Sequence, residues 1–171
     1  MSNIVGIDAS LTNTAVVIGD GREWHAKEFP SKSLGEAVAD RVMRYDLLVA
    51  SILDYLKSHF INAIYIESYS FGHNLAGQSR LCELGGILRW HLVDLSNRIV
   101  EVPPTTLKKF VTGKGNAPKD VMLAHIQKRW EQLFESNDVG DAFGLYQLGL
   151  VAEGIVEPAT VAMAQAVKGF K

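Results

Sequence analysis

The sequence predicts one α/β domain of 171 residues, a mixed sheet with helices on both faces. Three observations lead there. The first thirty residues hold three short strand-like runs separated by tight turns, a three-strand meander. Beyond residue 33, stretches with apolar residues every three or four positions alternate with short β-branched runs, the pattern of crossovers. Two of the strand-like runs are apolar up to a terminal acid, as buried strands are when they deliver their last side chain to a sheet edge.

The elements follow in order. Residues 4–8 are apolar before Asp8, residues 14–18 are β-branched, and Gly19-Asp20-Gly21 signals a turn. Residues 24–29 alternate well enough to return as a third strand. Ser33 and Glu36 have the spacing of a capping box, with Ser33 as the cap. The helix behind them places Val38, Val42, Tyr45, Val49, Ile52 and Leu56 on one face and ends near His59. A strand at 63–67 closes on Glu67. A glycine-containing loop (Phe71, Gly72, His73) precedes a helical pattern over residues 75–97. Residues 99–102 form a short strand stopped by Pro103 and Pro104. A brief helical turn at 106–111 leads into the flexible Gly113-Lys114-Gly115-Asn116. Pro118 suits the first turn of a helix running toward Phe134. Asn137 can cap a further helix carrying Asp138, Asp141, Phe143 and Leu145. The tail from Pro158 is rich in alanine and valine and reads as a last small-residue helix.

Apolar residues make up 47% of the chain and charged residues 21%, an ordinary globular balance with enough apolar surface for one core. The single cysteine, Cys82, excludes an intrachain disulfide and is most simply a small core residue. The start MSNIVGID enters a strand at once, with no basic leader, long apolar stretch or cleavage signal, so secretion and membrane insertion are not expected. The formal charge of −2 does not advertise a nucleic-acid partner, yet residues 103–130 set Lys108, Lys109, Lys114, Lys119, Lys128 and Arg129 against one acid, Asp120. Such a stretch serves either an anionic partner or a solvated helix face.

Four acids are the candidate chemistry: Asp8, Glu67, Asp138 and Asp141. Singly, each has a structural use. Asp8 can bond the backbone of the next turn, Glu67 can sit in an ion pair, and the other two favour the dipole of a helix start. As a set they differ. Asp138 and Asp141 are three residues apart and point the same way on a helix. If the strands ending in Asp8 and Glu67 are neighbours, all four can meet at one sheet end. Grouped carboxylates need cations, and hard oxygen ligands suit Mg²⁺ or Mn²⁺. Two cations about 3.5–4 Å apart serve in-line displacement at a phosphodiester. The histidines (His25, His59, His73, His91, His125) show no zinc spacing, and neither a nucleophile elbow nor a Walker loop is present.

GIDAS at the start, YIES around Glu67, VPPTTLKKFVTGKGNAPKDVM, and DVGDAFGLYQLG resemble, in order and over nearly the whole chain, the RuvC family of Holliday-junction resolvases. The resemblance implies the RNase H-like fold and matches the family's four metal-binding acids to Asp8, Glu67, Asp138 and Asp141. It matches DNA-binding cations to Lys108 or Lys109, and to Lys119, with Lys114 in the same segment. Lys119 would also steady charge at the transition state. An aromatic after the second acid is implied as a junction wedge; Tyr69 and Phe71 are the candidates, Ser70 standing at the aligned position. The family pairs subunits through the second long helix, where Gly85 and Gly86 need a close neighbour in a partner or in the sheet. Ala9 and Ser10, in place of the bacterial proline and glycine, resemble phage-borne members.

The expectation is a homodimeric, Mg²⁺-dependent endonuclease acting on branched DNA in the cytoplasm of a bacterial or phage-infected cell, with 5′-phosphate products and Mn²⁺ able to substitute. A junction-binding protein that has lost turnover is the alternative. A kinase-like ATPase is disfavoured because such folds need two domains of this size.

Overall fold

The computed structural model describes residues 3–69 and 75–170, and every side chain among them except those of residues 75, 76, 119 and 120. Antiparallel β1 (Asn3–Asp8), β2 (Asn13–Gly19) and β3 (Trp24–Pro30) open the chain, followed by α1 (Val38–Leu56) and β4 (Ile61–Glu67). Then come α2 (Leu75–Leu92), β5 (Ile99–Val102), α3 (Pro104–Thr112), α4 (Lys119–Trp130), α5 (Asn137–Ala152) and α6 (Val161–Ala166), with a final 3₁₀ turn at Lys168–Phe170. Among the described residues the strands form one five-stranded sheet in the order β3-β2-β1-β4-β5, with β4 parallel to both β1 and β5. This is the expected mixed α/β sheet.

Both faces of the sheet are buried, which is why β1, β2 and β4 read as continuous apolar runs. Ile4, Ala15, Val17, Ala63 and Tyr65 pack under α3, α4, α5 and α6. Val5, Ile7, Val16, Ile18, Ile64 and Ile66 pack under α1 and α2. The edge strand β3 buries only Phe29 and presents charges and Pro30 to solvent, a sequence that discourages further strand pairing. α5 is apolar nearly all round because it lies enclosed between the sheet and its neighbouring helices.

Several local expectations are corrected. Ser33 does not cap α1: its hydroxyl donates to the Gly35 carbonyl, while Asp40 accepts from the Ala37 amide at 3.3 Å, so Ala37 is the cap position. Val38 and Val42 stand 64% and 47% exposed, and the face of α1 on the sheet begins at Tyr45. α2 ends at Leu92, five residues before the expected Asn97. Pro118 is the cap residue of α4, and that helix stops at Trp130, where Glu131 turns left-handed with φ of 57°. Ser136 rather than Asn137 caps α5, its hydroxyl accepting from the Val139 amide.

Candidate active site

Strand parity decides where the first two acids point. Tyr65 faces α5 and Ile66 faces away, so Glu67 points to the α5 side. Ile7 likewise faces α1 and α2, so Asp8 returns to the α5 side. The parallel register pairs Ile7 with Ile66, which sets Asp8 level with Glu67 at the carboxyl ends of adjacent strands. Asp8 is buried, 8% exposed, and the turn beyond it is closed by Thr14, whose hydroxyl donates to the Ser10 carbonyl and accepts from the Ser10 amide.

α5 supplies the other pair. A Cβ on Gly6 would stand 2.2 Å from the Ala142 carbonyl oxygen and 2.5 Å from the Tyr146 nitrogen. Further along, Gly149 meets Ile4 and Tyr65. The helix therefore runs antiparallel to β1, backbone against backbone. Its sheet-facing stripe reads Asp138, Asp141 and Ala142, Tyr146, Gly149, at spacings of three and four. From Ala142 back to Asp138 is about 6 Å along the helix, matching the two residues from Gly6 to Asp8. The first turn of α5 thus overlies the strand ends that carry Asp8 and Glu67. Asn13 at the start of β2 donates to Asp138 at 3.3 Å and to Glu28 at 2.6 Å, tying that carboxylate to the sheet. Asn13 was not foreseen from sequence; its position as the first residue of β2, just past the turn that follows Asp8, is the local hint.

The four acids thus share one end of the fold, and they are all hard oxygen donors of the kind that suits Mg²⁺ or Mn²⁺. Their side chains are not drawn into a closed ligand shell: among the described residues no three His, Cys, Asp or Glu side chains are grouped to hold one ion.

The remaining candidates separate. Lys108 and Lys109 are half-buried on α3 and Lys114 is exposed. Arg129, counted with that basic stretch, donates instead to the Phe110 carbonyl at 3.0 Å and joins α4 to α3. Burial pushes its guanidinium pKa down. Gly113 closes α3 with φ of +84°, and Gly115 lies where a Cβ would meet the Thr105 carbonyl at 3.0 Å. Lys119 opens α4, one turn before Leu123, whose side chain occupies the space beside Gly140 next to Asp141. The Lys119 side chain and Phe71 lie outside what is described. Tyr69 does not project as a wedge: the Arg89 guanidinium stacks on its ring and its hydroxyl bonds to α2. The Gly85 question is resolved by the same ring, since a Cβ there would stand 2.2 Å from the Tyr69 oxygen, whereas Gly86 faces open space.

A mixed sheet with strand-end carboxylates beneath a late helix defines a class of fold, and the comparisons with known proteins name it. No family model matches the chain. The crossover junction endodeoxyribonuclease RuvC of Sulfurovum sp. (strain NBC37-1) is 29% identical over 134 residues, spanning 74% of this chain and 79% of the relative. That of Ehrlichia canis (strain Jake) is 23% identical over 155 residues, spanning 84% and 92%. The Thermus thermophilus RuvC structure superposes with a TM-score of 0.66 at 16% identity, over 89% of this chain and 96% of that one. The same protein in complex with Holliday junction substrate gives 0.67 at 14% identity, over 90% and 96%. The fold is therefore the one seen in the Thermus thermophilus RuvC structures. In sequence the chain is similar to these two crossover junction endodeoxyribonucleases over most of its length.

Proposed function

We propose that this protein is a structure-selective endodeoxyribonuclease that resolves Holliday junctions and other branched DNA by paired, Mg²⁺-dependent nicks. The observation that carries the reading is the crossing of α5 over β1 at Gly6, which sets an acid pair above two strand-terminal acids. The names of the relatives and the junction-bound structural neighbour agree with it.

Asp8, centrally placed, and Glu67 hold the cations from the sheet, while Asp138 and Asp141 hold them from the helix. Bound Mg²⁺ supplies water activation and relief of charge on the leaving oxygen, with 5′-phosphate and 3′-hydroxyl products. Mn²⁺ substitutes because the donors are hard oxygens. Lys119 approaches the scissile phosphate from the start of α4. Lys108, Lys109 and Lys114 contact flanking phosphates, which makes binding steeply salt-dependent. Phe71 is the stronger candidate for stacking on unpaired bases, since Tyr69 is occupied by Arg89.

A homodimer supplies two matched cuts on a substrate of near two-fold symmetry. Its interface is the apolar strip on the outer side of α1 and α2, where Val42, Met43 and Trp90 are exposed beside Ile87 and the open Gly86. No described helix is long and apolar enough to cross a membrane. The localisation that goes with this reading is the cytoplasm of a bacterial or phage-infected cell, where the proposed DNA substrate would be met.

Incubation of a synthetic four-way junction with Mg²⁺ tests the proposal. Symmetric nicks are expected, with Asp8→Asn slower on the order of 10³-fold, the worth of several kcal/mol of charge stabilisation. Intact junctions with the wild type, or undiminished cutting by Asp8→Asn, would contradict it.

A further inference from the structure

The chain leaving β4 is gripped from behind the sheet by one side chain of α2. Arg89 Nη2 donates to the Glu67 carbonyl oxygen at 3.1 Å, and Nη1 donates to the Tyr69 hydroxyl at 2.9 Å and the Gly85 carbonyl at 3.2 Å. Nε donates to Glu101 on β5 at 2.7 Å. The guanidinium carbon lies 4.5 Å from the centre of the Tyr69 ring. Between the two gripped residues, the Ser68 amide donates to the Val102 carbonyl at 2.9 Å. The end of β4, α2 and β5 therefore meet on one planar fork, which uses four of its five N–H donors.

The ion pair to Glu101 is the smaller part of this arrangement. Glu101 is 52% exposed, and such an ion pair contributes roughly 0–1 kcal/mol. What the fork specifies is geometry: it holds the Glu67–Ser68 peptide through the Glu67 carbonyl and pins the Tyr69 side chain just beyond it, and with them the backbone from which Glu67 presents its carboxylate to the opposite face. Only a rigid, planar, multidentate cation spans a carbonyl, a hydroxyl and a carboxylate together. We infer that Arg89 is a positioning residue for Glu67, setting the reach of that carboxylate toward the cation site it shares with Asp8 while touching neither cation nor DNA. The inference rests on the proposed carboxylate site.

The test measures Mn²⁺ binding to the full chain by calorimetry, without DNA, beside junction cleavage over a Mn²⁺ titration and junction binding in EDTA. Arg89→Ala is expected to weaken Mn²⁺ binding about 10- to 100-fold, the usual loss when a ligand's outer partner is removed. Half-maximal cleavage should move to higher Mn²⁺ by the same factor, with binding in EDTA unchanged. Arg89→Lys keeps the charge facing Glu101, folds as the wild type does, and should lose cation affinity as the alanine variant does. Leu88→Ala loosens the same helix at a fully buried neighbour and should keep it. Wild-type Mn²⁺ affinity in Arg89→Ala or Arg89→Lys, or an equal loss in Leu88→Ala, would overturn the inference alone. A wild type that binds Mn²⁺ and leaves junctions intact would overturn the proposed function while the calorimetry still decides the role of Arg89. A wild type that neither binds Mn²⁺ nor cuts would overturn both.

Discussion

Gly6→Ala should uncouple the two halves of the carboxylate set. The new methyl would stand 2.2 Å from the Ala142 carbonyl oxygen and 2.5 Å from the Tyr146 nitrogen, both backbone atoms of a buried helix. No side chain can swing away to relieve this, so α5 must retreat by about 1 Å to reach ordinary contact. Overpacking of this kind costs about 1–3 kcal/mol. Asp141 immediately precedes Ala142, so the retreat is felt first by the acid pair. A misplacement of about 1 Å lowers turnover by about 10²-fold. The assay is a urea melt for stability and single-turnover cleavage of a four-way junction at a temperature where the variant is folded. Ile52→Val, fully buried on the α1 side, is the control: it loses about 0.5–1.5 kcal/mol and should cleave as the wild type does. A Gly6→Ala variant with unchanged stability, or with cleavage no worse than the control, would refute the close crossing as the determinant of the site.

Removing the amide that anchors Asp138, in Asn13→Ala, should weaken Mn²⁺ binding about 10-fold, read by calorimetry. Ser136→Ala should destabilise the fold by about 1 kcal/mol in urea melts, through loss of the α5 cap. Trp90→Asp should convert the proposed dimer to monomer in sedimentation analysis and abolish paired nicking. Burial, and next its bond to Glu153, raise the Tyr65 phenol above its ordinary value of 10.0, and burial raises Tyr146 as well. Above about pH 10 the unfolded chain sheds protons that the folded chain keeps, so stability should fall with rising pH by up to about 1.4 kcal/mol per unit for each. Urea melts between pH 8 and 11 should show a shallower fall for Tyr65→Phe.

The element order was readable because buried strands announce themselves as apolar runs, and the acids that end two of them, Asp8 and Glu67, are conspicuous as candidates for the same reason. Other features depend on contacts that no local pattern encodes. Val38 and Val42 continue the helical stripe of α1, yet spacing cannot tell the part of a stripe that meets the sheet from the part left outside. Ser33 and Glu36 have a capping-box spacing, but the backbone turns at Gly35 and hands the role to Asp40. Gly6, inside a buried strand, carried a signal of close backbone approach that points to what α5 does there. Arg89 carried none: its partners outside its own helix lie 12, 20 and 22 residues away, brought together only by the sheet order.

The most direct measurement is anomalous diffraction from crystals of the Asp8→Ala variant and of the wild type, each soaked in Mn²⁺. In the wild type, manganese peaks are expected at the carboxyl ends of β1 and β4, within coordination distance of Asp8, Glu67 and the Asp138–Asp141 turn, and they should be lost or halved in the variant. Wild-type crystals with manganese elsewhere, or with these four carboxylates turned apart around no ion, would contradict the shared site.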